Sequence, residues 1–188
     1  SFRRIEDNIG AVQGKTVIKV GNLVYFLSED GFRVTDGNKS QPIGNGKVDR
    51  FFFNDLRFAH RERVKAAVDY KNKLVLWSYP STASGVTDKL IVYNYETQRW
   101  SIVELSHQMI FNYISPGFTV DELDNYPSSG SNNLDAINVP LDSDIFVGGL
   151  RSLGVFDTTN KFGTFEGANL ACEIGTGETE LFPQNRSL

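Results

Sequence analysis

The sequence has few of the residues that build metal, redox or acid–base sites: one cysteine, Cys172, and two histidines, His60 and His107. A single cysteine cannot form an internal disulfide or a cysteine-rich metal cluster. Neither histidine has a carboxylate or cysteine at ligand spacing beside it in the sequence. We therefore expect surface or half-buried histidines, an ordinary buried Cys172 on a strand, no metal or other cofactor, and no enzyme activity.

Blocks of like charge and long apolar runs are also missing. The 19 basic and 23 acidic side chains of the 188 residues leave a net charge of −4, without the basic patch of a nucleic-acid binder. No apolar run approaches the roughly 20 residues that span a bilayer, which predicts no membrane span. Because the chain starts without Met and stops soon after a strand-like segment, we expect it to be part of a longer protein.

Short apolar runs rich in Val, Ile, Phe, Tyr and Leu recur along the chain, separated by turn residues rather than by helical spacing. Asp30-Gly31 and Asp36-Gly37 supply the positive-φ residues that tight hairpins require. The pattern predicts an all-β fold of antiparallel strands. These strands are expected at 16–20, 23–28, 32–35, 64–70, 74–79, 89–95, 100–105, 109–114, 145–148, 153–157, 158–162, 164–166, 170–174 and 178–182.

One short helix is predicted at 48–56, although the run of three phenylalanines inside it also fits a buried strand. Asp49 lies near the start of this segment, where a negative charge favours a helix. Helical spacing places four apolar residues on one stripe. These are Val48, Phe51, Phe52 and Leu56.

The predicted hairpins resemble one another. Residues 92–101 read as strand, polar turn, aromatic and small polar residue, and residues 155–164 repeat that order, with a weaker copy at 32–40. A repeat of about four strands is typical of β-propeller blades, which pack face to face around an axis. We expect an incomplete propeller with four parts: 1–47, 48–106 with a helical lead-in, 107–168 with a long insertion at 115–144, and the start of a further blade at 169–188.

The insertion at 115–144 is the most suggestive candidate for a binding element, because a long segment inside a compact β domain is often functional. It mixes apolar side chains with Asn, Ser and Asp, as expected of an arm that orders against a partner chain. Its acidic residues do not keep the register of a calcium loop. The candidate partner-binding residues are Phe118, Val120, Leu123, Tyr126, Leu134 and Ile137, and the loop at 80–88 is a second candidate.

Carbohydrate binding or processing is an alternative function. Exposed aromatic side chains can form a platform for a sugar, and two loop carboxylates could hydrolyse one. Aromatic residues at strand spacing also pack between the blades of a propeller, so both interpretations stay open at this point. The residues in question are Trp77, Tyr79, Tyr93, Tyr95 and Trp100.

Residues 21–32, with 36–44 and 48–52 after them, resemble a stretch of bacteriophage tail proteins, and residues 170–181 resemble a strand that opens a further blade in the same group. The family is that of the tail-hub, nozzle or DNA-stabilisation proteins of short-tailed phages and prophage relatives. The resemblance implies a propeller-bearing structural subunit of the virion, made in the bacterial host cytoplasm. It implies a ring of identical subunits that binds other tail proteins, and it transfers no catalytic residues.

Overall fold

The computed structural model describes residues 9–114 and 151–165, together with residues 7 and 149. Of these residues 52% are in strands and 13% in helices, which confirms the mostly β composition. Every strand pair is antiparallel, and neither sheet of the described chain closes on itself. The expected strands at 145–148, 170–174 and 178–182, and the expected blade at 169–188, lie outside the described residues.

The strands form a four-stranded first sheet and a six-stranded second sheet. The first sheet has the order β1–β2–β3–β4 and the second the order β10–β9–β8–β7–β6–β5. The elements, in chain order, are a 3-10 turn at Gly14–Thr16, β1 at Ile18–Val20, β2 at Leu23–Ser28, β3 at Gly31–Thr35, β4 at Ser40–Pro42, α1 at Asp49–Asp55, a 3-10 segment at Phe58–Arg63, β5 at Lys65–Asp69, β6 at Leu74–Tyr79, β7 at Thr87–Asn94, β8 at Arg99–Ile114, β9 at Arg151–Asp157 and β10 at Phe162–Thr164.

Strand β8 changes its neighbour half-way along. Residues 99–107 pair with β7, and residues 107–114 pair with β9. Both ladders shift register beside His107, where a β-bulge bends the strand. The prediction of two separate strands at 100–105 and 109–114 was therefore wrong, because the polar residues between them bend a single strand instead of ending it.

Beyond the bend, the second half of β8 packs against β5. The side-chain amide of Asn112 accepts a hydrogen bond from the Val68 N–H at 3.1 Å and donates one to the Val68 carbonyl. These two bonds satisfy main-chain groups on the edge of β5 that β6 does not pair. The second half of β8 with β9 and β10, here called the folded-back part, thus packs against the strands of its own sheet.

Successive side chains of the central strands β5, β6 and β7 point to opposite faces, and both faces are buried. On β6, Val75 and Trp77 contact the side of the first sheet, whereas Leu76 contacts the folded-back part through Ile110 and Leu153. A strand buried on both faces reads as a continuous apolar run, as Leu74–Tyr79 does. The described chain is therefore a stack of three layers: the first sheet, the central strands and the folded-back part.

A cluster of aromatic rings joins the first two layers. The Phe32 ring, which has no exposed surface, lies with its centroid 5.0 Å from Phe52, 4.7 Å from Trp77 and 5.1 Å from Trp100. The indole N–H of Trp77 donates to the Thr16 carbonyl at 3.1 Å, so its burial leaves no polar group without a partner. One helix and three strands, from both sheets, meet at this cluster.

Helix α1 confirms the predicted helix, but one of the four residues on its predicted buried stripe is exposed. Val48, Phe52 and Leu56, four residues apart, are buried, whereas the Phe51 side chain is 42% exposed. The Asp49 carboxylate accepts a hydrogen bond from the Phe32 N–H at 3.1 Å and lies directly against Gly31 and Gly44. Burial raises the pKa of Asp49, and the Phe32 hydrogen bond opposes this shift.

Four hairpins share one turn device. In each, an Asp or Asn stands at the end of the first strand or just after it. Its side-chain oxygen accepts hydrogen bonds from two N–H groups of the turn, an arrangement known as an Asx turn. At Asp157 both distances are 2.8 Å. This turn covers 158–161, so the predicted strand at 158–162 was wrong and β10 begins only at Phe162. The other three turns are formed by Asp36, Asp69 and Asn94.

Replacing Phe32 with alanine should lower the free energy of unfolding by about 3–5 kcal/mol, because a fully buried ring is removed from a cluster that cannot collapse around the space. Urea denaturation followed by tryptophan fluorescence measures this loss. Phe58→Ala is the control, since the Phe58 side chain is 58% exposed, and it should change stability by no more than about 0.5 kcal/mol. Equal losses in the two variants would contradict the central position of Phe32.

Gly44→Ala should destabilise the chain by about 1–3 kcal/mol, because a Cβ atom at this position would overlap the Asp49 carboxylate. Gly10→Ala is the matched control, since a Cβ there meets no atom within 4 Å. Thermal unfolding measures both variants. Combining Gly44→Ala with Asp49→Ala should recover part of the loss, and no recovery would contradict the steric explanation.

Candidate functional site: an open strand edge beside an apolar groove

A shallow groove lies between α1 and the first half of β8. It has a volume of about 330 Å³ and is bordered by apolar side chains from both elements. Phe51 is 42% and Ile102 43% exposed, although both belong to elements that contribute to the core. The residues that line the groove are Lys47, Val48, Phe51, Trp100, Ser101 and Ile102.

One edge of β8 is open next to this groove. Residues 99–106 pair with β7 on one side, and no described strand pairs with their other side. The side chains of Ile102 and Val103, which point to opposite faces of the strand, are 43% and 36% exposed. An open edge with apolar side chains is a template for adding a strand from another segment.

The Trp100 side chain connects the groove to the core. Its indole N–H donates to the Ile43 carbonyl at 3.2 Å, and its ring stacks on Trp77 with centroids 5.9 Å apart. The Tyr93 ring lies 4.6 Å from it across the β7–β8 ladder. These contacts fix the position of Trp100 at the floor of the groove.

A polar network holds the end of α1 on the second sheet. The Asp55 carboxylate accepts hydrogen bonds from the Tyr79 hydroxyl and from the Lys89 ammonium, each at 2.9 Å. Burial first, and then the hydrogen bond to Asp55 and the negative charge of that carboxylate, raise the pKa of Tyr79. The Lys89 ammonium also lies 5.9 Å from the centre of the Phe51 ring and thereby supports the exposed ring that borders the groove.

His107 lies at the bend of β8 and is buried, with 1% of its surface exposed. Its Nδ1 lies 2.6 Å from the Leu105 carbonyl, which can only accept, so Nδ1 carries the proton. Burial lowers the pKa of His107, and the neutral ring then accepts a hydrogen bond at Nε2 from the Ser78 hydroxyl, 2.6 Å away. The expectation of a surface or half-buried residue was wrong for His107, whereas His60 is half-buried.

The Ser78–His107 pair has the hydrogen-bond order of a nucleophile and its base. Ser78 is however 2% exposed, and it does not line the polar depression of about 480 Å³ that His107 borders together with Lys65 and Thr87. A substrate in that depression would meet the imidazole and not the hydroxyl. We therefore assign the pair to the structure of the bend, where it satisfies two buried polar groups.

Hydrogen bonds attach the loop at 80–88 to itself and to neighbouring residues. Ser81 is fully buried and bonds to the Asp88 carboxylate through its N–H and its hydroxyl, each at 2.7 Å. Arg57 donates to the Ser84 carbonyl at 2.8 Å, and Arg63 donates to the Gly85 carbonyl at 2.9 Å. Of its apolar side chains, Val86 is 47% exposed, so this candidate loop offers a small surface.

The candidate partner-binding residues of the insertion all lie outside the described residues, as does Cys172. They are Phe118, Val120, Leu123, Tyr126, Leu134 and Ile137.

The aromatic residues considered for sugar binding are mostly internal. Trp77 and Tyr79 have no exposed surface, and Tyr93 is 5% exposed. Tyr95 and Trp100 are partly buried. The rings pack between layers, which was the other interpretation of their strand spacing.

Sequence reasoning missed the groove and the open edge. Alternation marked Ile102 as a strand residue, but nothing in the sequence tells which strand lies at an edge. Phe51 was placed on the buried stripe, because a run of three phenylalanines obscures which one faces outward. The one sequence signal is the adjacent apolar pair Ile102-Val103, which places an apolar side chain on each face of the strand.

Within 9–114 and 151–165, no group of three or more His, Cys, Asp or Glu side chains could hold a metal ion, and no helix there is long and apolar enough to cross a membrane. A comparison of the chain with protein-family models found no match, and neither did a comparison with curated proteins.

The burial of His107 predicts a loss of stability in acid. Because its folded-state pKa is lowered, the unfolded chain takes up a proton on this residue first, at about pH 6.5. The stability associated with the neutral ring is present above that pH and is lost as the pH falls toward the folded-state pKa.

Urea denaturation from about pH 8 to about pH 5 should show a steeper loss of stability for the wild type than for His107→Gln. His60→Gln, at the half-buried histidine, is the control and should follow the wild type, and parallel profiles for all three proteins would contradict the assignment.

Proposed function

We propose that the chain is a structural subunit of a phage tail, of the hub or nozzle type, which acts by binding other proteins and has no catalytic role. The observation that carries the proposal is the open edge of β8 beside the apolar groove. No described strand pairs with the outer edge of 99–104, and Phe51 and Ile102 provide apolar contacts next to it. This combination suits a partner that adds a strand and inserts side chains into the groove.

The layered packing supports the propeller part of the proposal. Successive parts of the chain are stacked face to face, and aromatic side chains fill the space between the first two. A propeller consists of such sheets repeated around an axis until the ring closes. The described layers would then be blades, and sequence outside them would complete the ring.

The charge of the chain fits a subunit that surrounds DNA without gripping it. The net charge of −4 offers no excess of cations for phosphate groups. The partners proposed are therefore further copies of the subunit and neighbouring tail proteins, and the proposed location is the virion.

The test is the protein content of phage particles produced by a genome that encodes this chain in its full-length protein. Quantitative mass spectrometry of density-purified particles should find its peptides in the particles. Absence from the particles, with normal amounts in the host lysate, would contradict the virion assignment.

The same particles test the binding edge. Ile102→Lys should lower incorporation by about tenfold or more, because a charge on an open edge opposes strand addition and a lost contact of about 1.4 kcal/mol reduces binding tenfold. Val17→Lys is the matched control, since Val17 is exposed to a similar degree, 37%, but lies outside β8 and the groove. Equal incorporation of the two variants would show that the edge is not the contact surface.

A further inference from the structure

The polar depression beside His107 shares no lining residue with the groove. Its volume of about 480 Å³ is typical of a pocket for a small ligand. The parts of the chain that border it include the 3-10 turn at Gly14–Thr16, the 3-10 segment at Phe58–Arg63, β5, β7, the bend of β8 and the turn after β9. Because these parts are far apart in the sequence, the depression forms only in the folded chain.

Positive charge predominates around the depression. Three cations, Lys15, Arg63 and Lys65, border it together with one carboxylate, that of Glu62, which gives a formal charge of +2. The whole chain, in contrast, has a net charge of −4. A local excess of cations in a concave site, against the overall charge of the chain, indicates an anionic ligand.

Two of these cations form no ion pair with a described carboxylate. Glu62 lies 3.9 Å from the Arg63 guanidinium, whereas no ion pair within the described ranges includes Lys15 or Lys65. The half-buried Lys65 donates a hydrogen bond to the Met109 sulfur at 2.8 Å. A thioether is a weak acceptor, so this bond leaves the positive charge of Lys65 uncompensated.

Lys15 and Lys65 repel one another across the depression. The turn that carries Lys15 packs against β5, which begins at Lys65. Burial first, and then the positive charge of Lys15, lower the pKa of Lys65. An anion near both ammonium groups favours their charged forms. It would thereby offset a repulsion that the described residues leave in place.

A neutral donor lies on the floor of the depression. Thr87 is 4% exposed, and its hydroxyl has no hydrogen bond to a described residue. Every fully enclosed polar side-chain atom of the described residues is paired, so the Thr87 hydroxyl must reach solvent, and Thr87 lines the depression. His107 adds no donor, because both of its ring nitrogens are bonded within the chain, to Leu105 and Ser78.

We propose that the depression binds a phosphate group in its doubly charged form, as inorganic phosphate or as the monoester of a small molecule. Such a group carries a charge of about −1.5 to −2 at neutral pH and has three strong acceptor oxygens. This charge matches the formal charge of +2, and the oxygens match the donors of Lys15, Lys65 and Thr87. Arg63, which donates to the Gly85 carbonyl at 2.9 Å, adds charge at the rim. A single carboxylate has one charge and two oxygens, and is the poorer match.

A phosphate site at this position is compatible with a chain that does not grip DNA. Each phosphate group of DNA carries one negative charge, and tight binding needs cations spaced along the duplex. The depression instead brings its cations together at one point.

NMR titration of the intact chain with inorganic phosphate, glycerol 3-phosphate and acetate tests the site at about pH 7.5 and constant ionic strength. Inorganic phosphate and glycerol 3-phosphate should shift the amide signals of residues around the depression in a saturable way. At least one of the two should bind about tenfold or more tightly than acetate. Tighter binding of glycerol 3-phosphate would identify an ester as the ligand, and tighter binding of inorganic phosphate would identify the free anion.

Lys15→Gln and Lys65→Gln should each weaken phosphate binding by about tenfold or more, because each removes a charged donor. Lys19→Gln is the matched control, since it removes the same charge from an exposed lysine on β1 that does not line the depression. Thr87→Val keeps the charge and the shape of the side chain, and should weaken binding by about threefold or more through the loss of one hydrogen bond. The exposed position of Lys15 keeps the test valid if Lys65→Gln does not fold.

Three results would overturn the proposal. No saturable shift at up to about 50 mM inorganic phosphate or glycerol 3-phosphate would show that the depression does not bind the group. Equal weakening by Lys15→Gln and Lys19→Gln would show that phosphate responds to the overall charge of the chain. Equal affinities for phosphate and acetate would show that the site does not select a doubly charged anion.

Discussion

The structure depends on aromatic packing between the first sheet and the central strands, with Phe32 at its centre. Each buried ring removes about 150–250 Å² from water, and at about 25 cal/mol per Å² this corresponds to several kcal/mol per ring. The sequence has one cysteine and so cannot add a disulfide within the chain. Packing must therefore stabilise the contact of the layers, and Phe32, Phe52, Trp77 and Trp100 bring helix and both sheets together in one cluster.

This packing also shapes the surface. Trp100 belongs to the aromatic cluster on one side and to the groove on the other, so the core fixes the position of Ile102 two residues further along β8. Asp49, seated against Gly31 and Gly44, fixes the start of α1 and with it Phe51. The two exposed apolar side chains of the groove are therefore placed by buried neighbours, as a preorganised binding surface requires.

Much of the local structure could be predicted from the sequence. A short apolar run gave the strand Leu74–Tyr79 with correct bounds, Asp36-Gly37 gave a turn, and Val48, Phe52 and Leu56 gave the helix. These features depend on residues close together in the chain. The bend of β8 could not be predicted, because it depends on His107 meeting Ser78, 29 positions away. The orientation of Phe51 and the open edge of β8 depend on which segments become neighbours, and periodicity contains no information about that.

The two ends of the stack differ chemically. On the outer side of the first sheet, Arg33 donates to the Ser40 hydroxyl at 3.0 Å and the Thr35 hydroxyl donates to the Lys39 carbonyl at 3.0 Å, so polar groups there are paired within the layer. On the outer side of the folded-back part, the described aromatic rings of β8, β9 and β10 contact one another, and Phe162 is 51% exposed. The side chains of Phe26, Thr35 and Ser40 on the first of these sides are nevertheless buried, whereas water disfavours the exposed Phe162 ring on the second. At the outer side of the folded-back part, the described chain therefore favours a further apolar contact.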